Sequence, residues 1–180
     1  MKENKELLSH IQKEYSKQEA NLMRLKASDC DKKSVSDTGS LIFDSIIEDI
    51  GKQCLRESIH FTVLCEHFSS PFSKIDTISL FYNILDNAVE ACLFVIKDRF
   101  IALHVFSERN NICIMCENSK TKKSNPIADN FQTVKADKIN HGKGTAVIRD
   151  IVEKYDGNVT YTDKSSTLKL SITVPINTAK

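Results

Sequence analysis

The sequence predicts an α/β domain, a two-layer sandwich with helices on one face of a mixed sheet, preceded by a separate N-terminal helix. Three observations predict it. Apolar residues recur at helical spacing in Leu41 to Glu57, Asp76 to Lys97 and Ala146 to Tyr155, and they alternate at strand spacing in the stretches between. Two pairs of the alternating stretches are joined by short turns, which makes them hairpins. The chain has 180 residues and is 41% hydrophobic, enough for one compact core and an appendage but not for two full domains.

Residues 1 to 27 are rich in Lys, Glu, Gln and Leu, with Leu7, Leu8, Ile11, Tyr15, Leu22 and Leu25 on a loose apolar stripe. This predicts an exposed helix that seeks a partner, most simply a second copy in a homodimer. Ser28 to Ser40 is polar and is expected as a linker, so the domains are residues 1–40 and 41–180. Leu41 to Glu57 carries Ile42, Ile46, Ile50 and Leu55 on one side and Glu48, Asp49 and Lys52 on the other, and Ile59 to Cys65 is a strand. After a Ser-Ser-Pro turn, Asp76 is the expected cap of a long helix to Lys97. Strands Ile101 to Ser107 and Ile112 to Glu117 meet across Arg109, Asn110 and Asn111. A long basic loop then runs from Ser119 to His141, with Lys120, Lys122, Lys123, Lys135 and Lys138, and is expected to be a lid. The helix Ala146 to Tyr155 is expected to end on a left-handed Gly157, and strands Asn158 to Asp163 and Thr167 to Val174 form the last hairpin.

Composition excludes some function classes. A net charge of +1 gives no support to a nucleic-acid surface. No apolar run approaches the ~20 residues that cross a bilayer, and no secretory pattern opens the chain, so a cytoplasmic setting is expected. The six cysteines sit in or beside apolar segments, as free buried thiols do in a reducing compartment. Cys113 and Cys116 form a C-x-x-C inside a strand with no second pair of ligands, which does not favour zinc or redox work. His60, His67 and His104 lie in or beside strands and are expected to pack or face solvent.

The stretch Asn83-Ile-Leu-Asp86-Asn87-Ala-Val-Glu90-Ala-Cys92 is the most informative. On a helix its spacings of three, four and seven put Asn83, Asp86, Asn87 and Glu90 on one face, with Phe81, Ile84, Leu85, Ala88 and Cys92 on the other. Asn costs up to ~0.7 kcal/mol against Ala inside a helix, so two of them four apart are an odd way to build a merely solvated face. Carboxamide and carboxylate oxygens in one cleft suit a hard cation such as Mg²⁺, which takes its remaining ligands from water and phosphate. A plain structural stripe accounts for the pattern equally well when it is taken alone.

The second stretch is His141-Gly142-Lys143-Gly144-Thr145, where the basic loop gives way to a helix. Glycine lets the backbone approach a ligand, and a helix N-terminus offers free N–H groups and partial positive charge to phosphate. It matches neither the dinucleotide fingerprint nor the Walker spacing.

In their order, these pieces resemble the GHKL superfamily of gyrase, heat-shock chaperone, histidine kinase and MutL. NILDNAVEAC resembles its N-box and HGKGTAVIRDIVEKYDGNVTY its second glycine box, with TVKADKIN similar to a lid. The similarity spans roughly Leu41 to Ile176 and is greatest to sensor kinases of the Agr quorum-sensing type. It implies the Bergerat ATP-binding fold, ATP and Mg²⁺ as cofactors, and a response regulator or a histidine-bearing helix as partner. By that resemblance Asn87 would hold Mg²⁺, and Asn83 would orient the reacting phosphate. His141, Gly142, Lys143, Gly144 and Thr145 would bind the phosphates, with Lys135 from the lid. Where the family has an aspartate for the adenine amino group, this chain has Cys116-Glu117-Asn118-Ser119, so Glu117 or Asn118 would take that place.

The chain departs from the pattern at the phosphoacceptor. It has no His-Asp or His-Glu pair, Ser28 stands where the acceptor histidine would be, and His10 lacks the acidic neighbour. The resemblance therefore implies a histidine kinase catalytic domain acting on a histidine elsewhere, or a degenerate nucleotide-binding or regulatory module without phosphotransfer, which binds ATP or has lost even that and regulates partners through residues 1 to 27, or a serine kinase of the anti-sigma type.

Overall fold

The computed structural model describes residues 38–65, 70–121 and 141–176, all within the compact unit Val35–Lys180. The expected N-terminal helix, Ser28, His10, His67 and most of the basic loop, including Lys135, lie outside the described residues.

Helix α1 is Leu41–Arg56. Ser40 caps it, its Oγ accepting from the Phe43 N–H at 3.4 Å, and the Thr38 hydroxyl donates to Asp44 Oδ1 at 2.7 Å. Strand β1, His60–Cys65, runs parallel to β2, Phe100–Glu108. A parallel pair cannot be closed by a tight turn, and helix α2, Lys74–Leu93, makes the crossover. Its cap is Ser73 rather than Asp76: Ser73 Oγ accepts from the Asp76 N–H at 3.1 Å and donates to Asp76 Oδ2 at 2.7 Å. Asp76 sits three residues beyond the cap, the place of the acidic member of a capping box, but it accepts from the Ser73 hydroxyl while the Ser73 N–H donates to the Tyr155 oxygen at 2.8 Å.

Helix α2 also stops earlier than Lys97. Beyond Cys92 the chain leaves the core, and Leu93, Phe94 and Ile96 are exposed although they continue the apolar pattern. Arg99 gathers the freed carbonyls, donating to Val95 O at 2.7 Å, Leu93 O at 3.3 Å and Glu57 O at 2.8 Å.

Strand β3, Asn111–Ser119, is antiparallel to β2 and pairs Asn111 with Glu108. The turn is thus Arg109 and Asn110 alone, both left-handed at φ 45° and 63°, the geometry that matches strand twist in a two-residue hairpin. Helix α3 is His141–Lys154, so the glycines lie inside its first turn rather than ahead of it. At its far end Asp156, φ 55°, adopts the left-handed conformation expected of Gly157. Gly157 is needed for another reason: an added Cβ would lie 2.7 Å from Val174 Cγ2, 2.8 Å from Val152 Cγ1 and 2.9 Å from the Thr173 carbonyl. Strands β4, Asn158–Asp163, and β5, Thr167–Pro175, close the sheet in the order β1-β2-β3-β5-β4.

Strand alternation sends Ile101, Leu103 and Val105 of β2, Ile112, Ile114 and Cys116 of β3, and Leu170, Ile172 and Val174 of β5 into one cluster with all three helices. Phe43 of α1 meets Phe81 of α2 edge to face, centroids 4.7 Å apart. Each such side chain, fully buried, contributes about 1.5–3 kcal/mol, which is why the helices share one face. This is the two-layer α/β arrangement the pattern predicts. Cys113 and Cys116 are three apart on β3 and so fall on opposite faces, which removes any shared ligand role. Burial pushes their thiols up to about 11 and about 12. His104 is buried and packs on Phe106 at 4.5 Å between ring centroids.

Candidate functional site

The site is built where α2 passes the first turn of α3. Asn83 Nδ2 donates to the Ser79 carbonyl one turn back, at 2.7 Å, which fixes the carboxamide and leaves its oxygen directed away from the α2 backbone. Opposite stands Gly144. A Cβ added there would lie 3.0 Å from Asn83 Oδ1, 3.3 Å from Asn87 Oδ1 and 3.4 Å from Asn87 Nδ2. Both carboxamides therefore rest directly on the α3 backbone, and only a residue without a side chain admits that approach undisturbed. The N–H groups of the first turn of a helix have no intrahelical acceptor, so the positive end of α3 opens beside two amide oxygens.

The polar stripe of α2 does not act as one surface. Asn83 and Asn87 turn to α3, whereas Asp86 and Glu90 are exposed. Although Asp86 is exposed at its outer edge, partial desolvation by its neighbours raises its carboxyl above its ordinary value, and the charges of Glu90 and of Asp49 on α1 raise it further. Tyr82, four residues before Asp86, donates to Asp49 Oδ2 at 3.1 Å. A helix turns by 100° per residue, enough to send Asn87 and Asp86 to different neighbours.

Beside this contact a small cleft open to solvent is lined by Ile84, Asn87, Ala88, Cys116, Asn118, Ile148, Tyr161, Leu168 and Leu170. Its walls are apolar, with carboxamides at Asn87 and Asn118, a composition that suits a flat heteroaromatic ring with polar edges. Asn118 is buried and commits its Nδ2 to the Ser119 carbonyl at 2.9 Å. Glu117, its neighbour on β3, points to the other sheet face and accepts from the Thr167 hydroxyl at 2.9 Å. Of the two residues expected to meet adenine, Asn118 lines the cleft and Glu117 does not.

His141, Gly142 and Lys143 open α3, Gly144 touches the carboxamides, and Thr145 is half-buried in the same turn. Tyr161, Ile148, Leu168, Leu170 and Cys116 had no distinguishing feature in the sequence. An apolar or aromatic residue in a strand looks the same whether its neighbour is a cavity or a packed side chain. Among the described residues no cluster of three or more His, Cys, Asp or Glu side chains could hold a metal.

The sequence profile of the GHKL domain matches residues 72–175, more than half of the chain. No curated protein sequence matches. Among solved structures, the catalytic domain of histidine kinase ThkA (TM1359) is 16% identical with a TM-score of 0.60, over 74% of this chain and 90% of that one. The Acinetobacter baumannii histidine kinase AdeS is 12% identical with a TM-score of 0.54, over 96% of this chain and 80% of that one. The mycobacterial sensor histidine kinase MprB is 14% identical with a TM-score of 0.53, over 74% and 93%. At these identities the likeness is one of fold.

Proposed function

The chain belongs to the GHKL domain family, and from that premise we propose that it is the cytoplasmic ATP-binding catalytic domain of a sensor histidine kinase of the Agr type. The observation that carries the proposal is the seating of Gly144 on Asn83 and Asn87, which joins the helix N-terminus to the two carboxamides. The adenine ring would enter the cleft between Ile84, Ile148, Leu168 and Leu170, its amino group donating to Asn118 Oδ1. The phosphates would lie on the free amides of the Gly142 to Thr145 turn, with Lys143 and Lys135 adding charge.

The donor set fits Mg²⁺, because Asn87 offers a hard oxygen beside the place for phosphate and leaves the other positions to water and phosphate oxygens. When bound, the ion supplies charge neutralisation on the phosphates. Asn83, held by Ser79, would orient the reacting phosphate. In the transfer, the bond from the bridging oxygen to the γ-phosphorus breaks, the acceptor nitrogen bonds to phosphorus, and ADP leaves. Positioning and electrostatics do the work in such reactions, and they are what this turn and these carboxamides supply.

With Ser28 in the acceptor place, the receiving histidine belongs to another helix or another chain. In this reading residues 1–40 are the N-terminal helix and linker of a degenerate dimerisation region, residues 41–180 form the catalytic domain, and a response regulator receives the phosphoryl group. Among the described residues no helix is long and apolar enough to cross a membrane. A second reading is a nucleotide-binding regulatory module without transfer, favoured by the run Cys116-Glu117-Asn118-Ser119, which lacks both aspartate and glycine.

Incubation with γ-labelled ATP and Mg²⁺, with and without a histidine-bearing partner helix, tests both readings. Label on the partner histidine is expected. Bound ATP without transfer supports the second reading, label on serine identifies a serine kinase instead, and absence of ATP binding refutes both kinase readings.

A further inference from the structure

A polar cluster away from the cleft ties the start of α2 to the end of α3. Asp76 Oδ2 accepts from Lys154 Nζ at 2.7 Å, from the Tyr155 hydroxyl at 2.7 Å and from Ser73 Oγ at 2.7 Å. The Tyr155 oxygen in turn accepts from the Ser73 N–H at 2.8 Å, and the Tyr155 ring meets Phe72 edge to face at 5.0 Å. Asp76 is only 14% exposed, while Lys154, 60% exposed, reaches it from the solvent side. The three hydrogen bonds hold the Asp76 carboxyl at about 2, Lys154 having the largest influence.

The two helices run antiparallel and touch at two polar points. On α2 those points are residues 76 and 87, about 16 Å apart at 1.5 Å per residue. On α3 they are the end at residue 155 and residue 144, again about 16 Å apart. Between them lie Leu80 and Ile84 of α2 and Ile148, Ile151 and Val152 of α3, all in the core cluster, and burial of apolar surface has no preferred direction along a helix axis. Hydrogen bonds do have direction, so the end that carries them sets how far α3 can slide.

We propose that Asp76 is a positioning residue: by holding Lys154 and Tyr155 it fixes α3 along α2, and so keeps the Gly144 turn seated on Asn83 and Asn87, about 16 Å away. What this does to ligand affinity rests on the nucleotide reading above, whereas the seating itself does not. A change at either end of the clamp is transmitted as a displacement of the first turn of α3, because a packed helix moves as a unit.

The test uses the full chain with Asp76→Asn, Lys154→Met and Lys154→Arg. Without ligand, magnetisation transfer between the Gly144 α-protons and the Asn87 side-chain amide protons reports the seating. It is expected to weaken in D76N and K154M and to persist in K154R, which can still bond to the carboxylate. Affinity for ATP with Mg²⁺ is expected to fall by about tenfold in the first two and to recover in the third. Unchanged transfer in folded D76N or K154M overturns the proposal whether or not ATP binds. If the unsubstituted chain binds no ATP, the functional reading fails and the proton contact still decides the clamp. Should D76N fail to fold, K154M against K154R gives the same decision.

Discussion

Replacing Gly144 by alanine adds one methyl group at the contact between α3 and the carboxamides, and the structure gives the terms that decide its effect. Gly144 lies inside the helix without a positive φ, so alanine gains about 1 kcal/mol of helix propensity there. Against this, the methyl carbon would stand 3.0 Å from Asn83 Oδ1, and that carboxamide must give by a few tenths of an ångström. Asn83 is anchored to Ser79 O, and straining that hydrogen bond costs about 1 kcal/mol. The two nearly cancel, and the melting temperature is expected to move by no more than about 3 °C. Binding has no such compensation. In the proposed site the methyl would intrude where phosphate meets the amides, and loss of hydrogen bonds to a charged group costs about 1.5–3 kcal/mol, roughly 10- to 100-fold in affinity. Calorimetric titration with ATP and Mg²⁺ beside a thermal melt reads both quantities. Affinity within about twofold of the unsubstituted chain, or a melting temperature lowered by about 6 °C or more, refutes the reasoning.

Asn87→Ala is expected to reduce ATP affinity in the presence of Mg²⁺ by about tenfold or more and to leave metal-free binding much less affected, measured by titration with and without chelator. His104 is held down to about 4 by burial, with Lys169 adding to the effect. The unfolded chain binds its proton near pH 6.5 and the folded chain only near 4, so stability is full above 6.5 and falls as pH drops through that window. The loss is ~3 kcal/mol at most, and urea unfolding of His104→Phe over the same range should lack that component of the slope. Gly157→Ala drives a Cβ into Val174, Val152 and the Thr173 carbonyl and is expected to cost about 2 kcal/mol or more of unfolding free energy, measured by urea titration; a neutral result contradicts the close packing there.

Much of the fold is legible because it is written locally. The alternation of Ile101 to Ser107 and Ile112 to Glu117 specifies a hairpin, and Asn110 accepts the left-handed conformation its turn requires. Ends were less legible where tertiary contacts decide them. Arg99 closes α2 at Leu93 through carbonyls that no periodic pattern marks, and Gly157 is imposed by Val174 on another strand. At the site, the carboxamides and glycines stand out because they are costly helix residues. The choice between Glu117 and Asn118 depends on strand register, in which Asn118 pairs with Ile101 and Leu168, and register is not a local property. The Asp76 to Lys154 bond spans 78 residues and leaves no trace in either neighbourhood.

The contact between the carboxamides of α2 and the opening turn of α3 is tested most directly by titrating the chain with ATP and Mg²⁺ while following the Asn87 side-chain amide and the Gly144 backbone amide by NMR. Both are expected to shift and to saturate at the same ATP concentration, as two walls of one phosphate site must. Saturation of one without the other, or shifts confined to residues remote from both, would contradict a shared pocket.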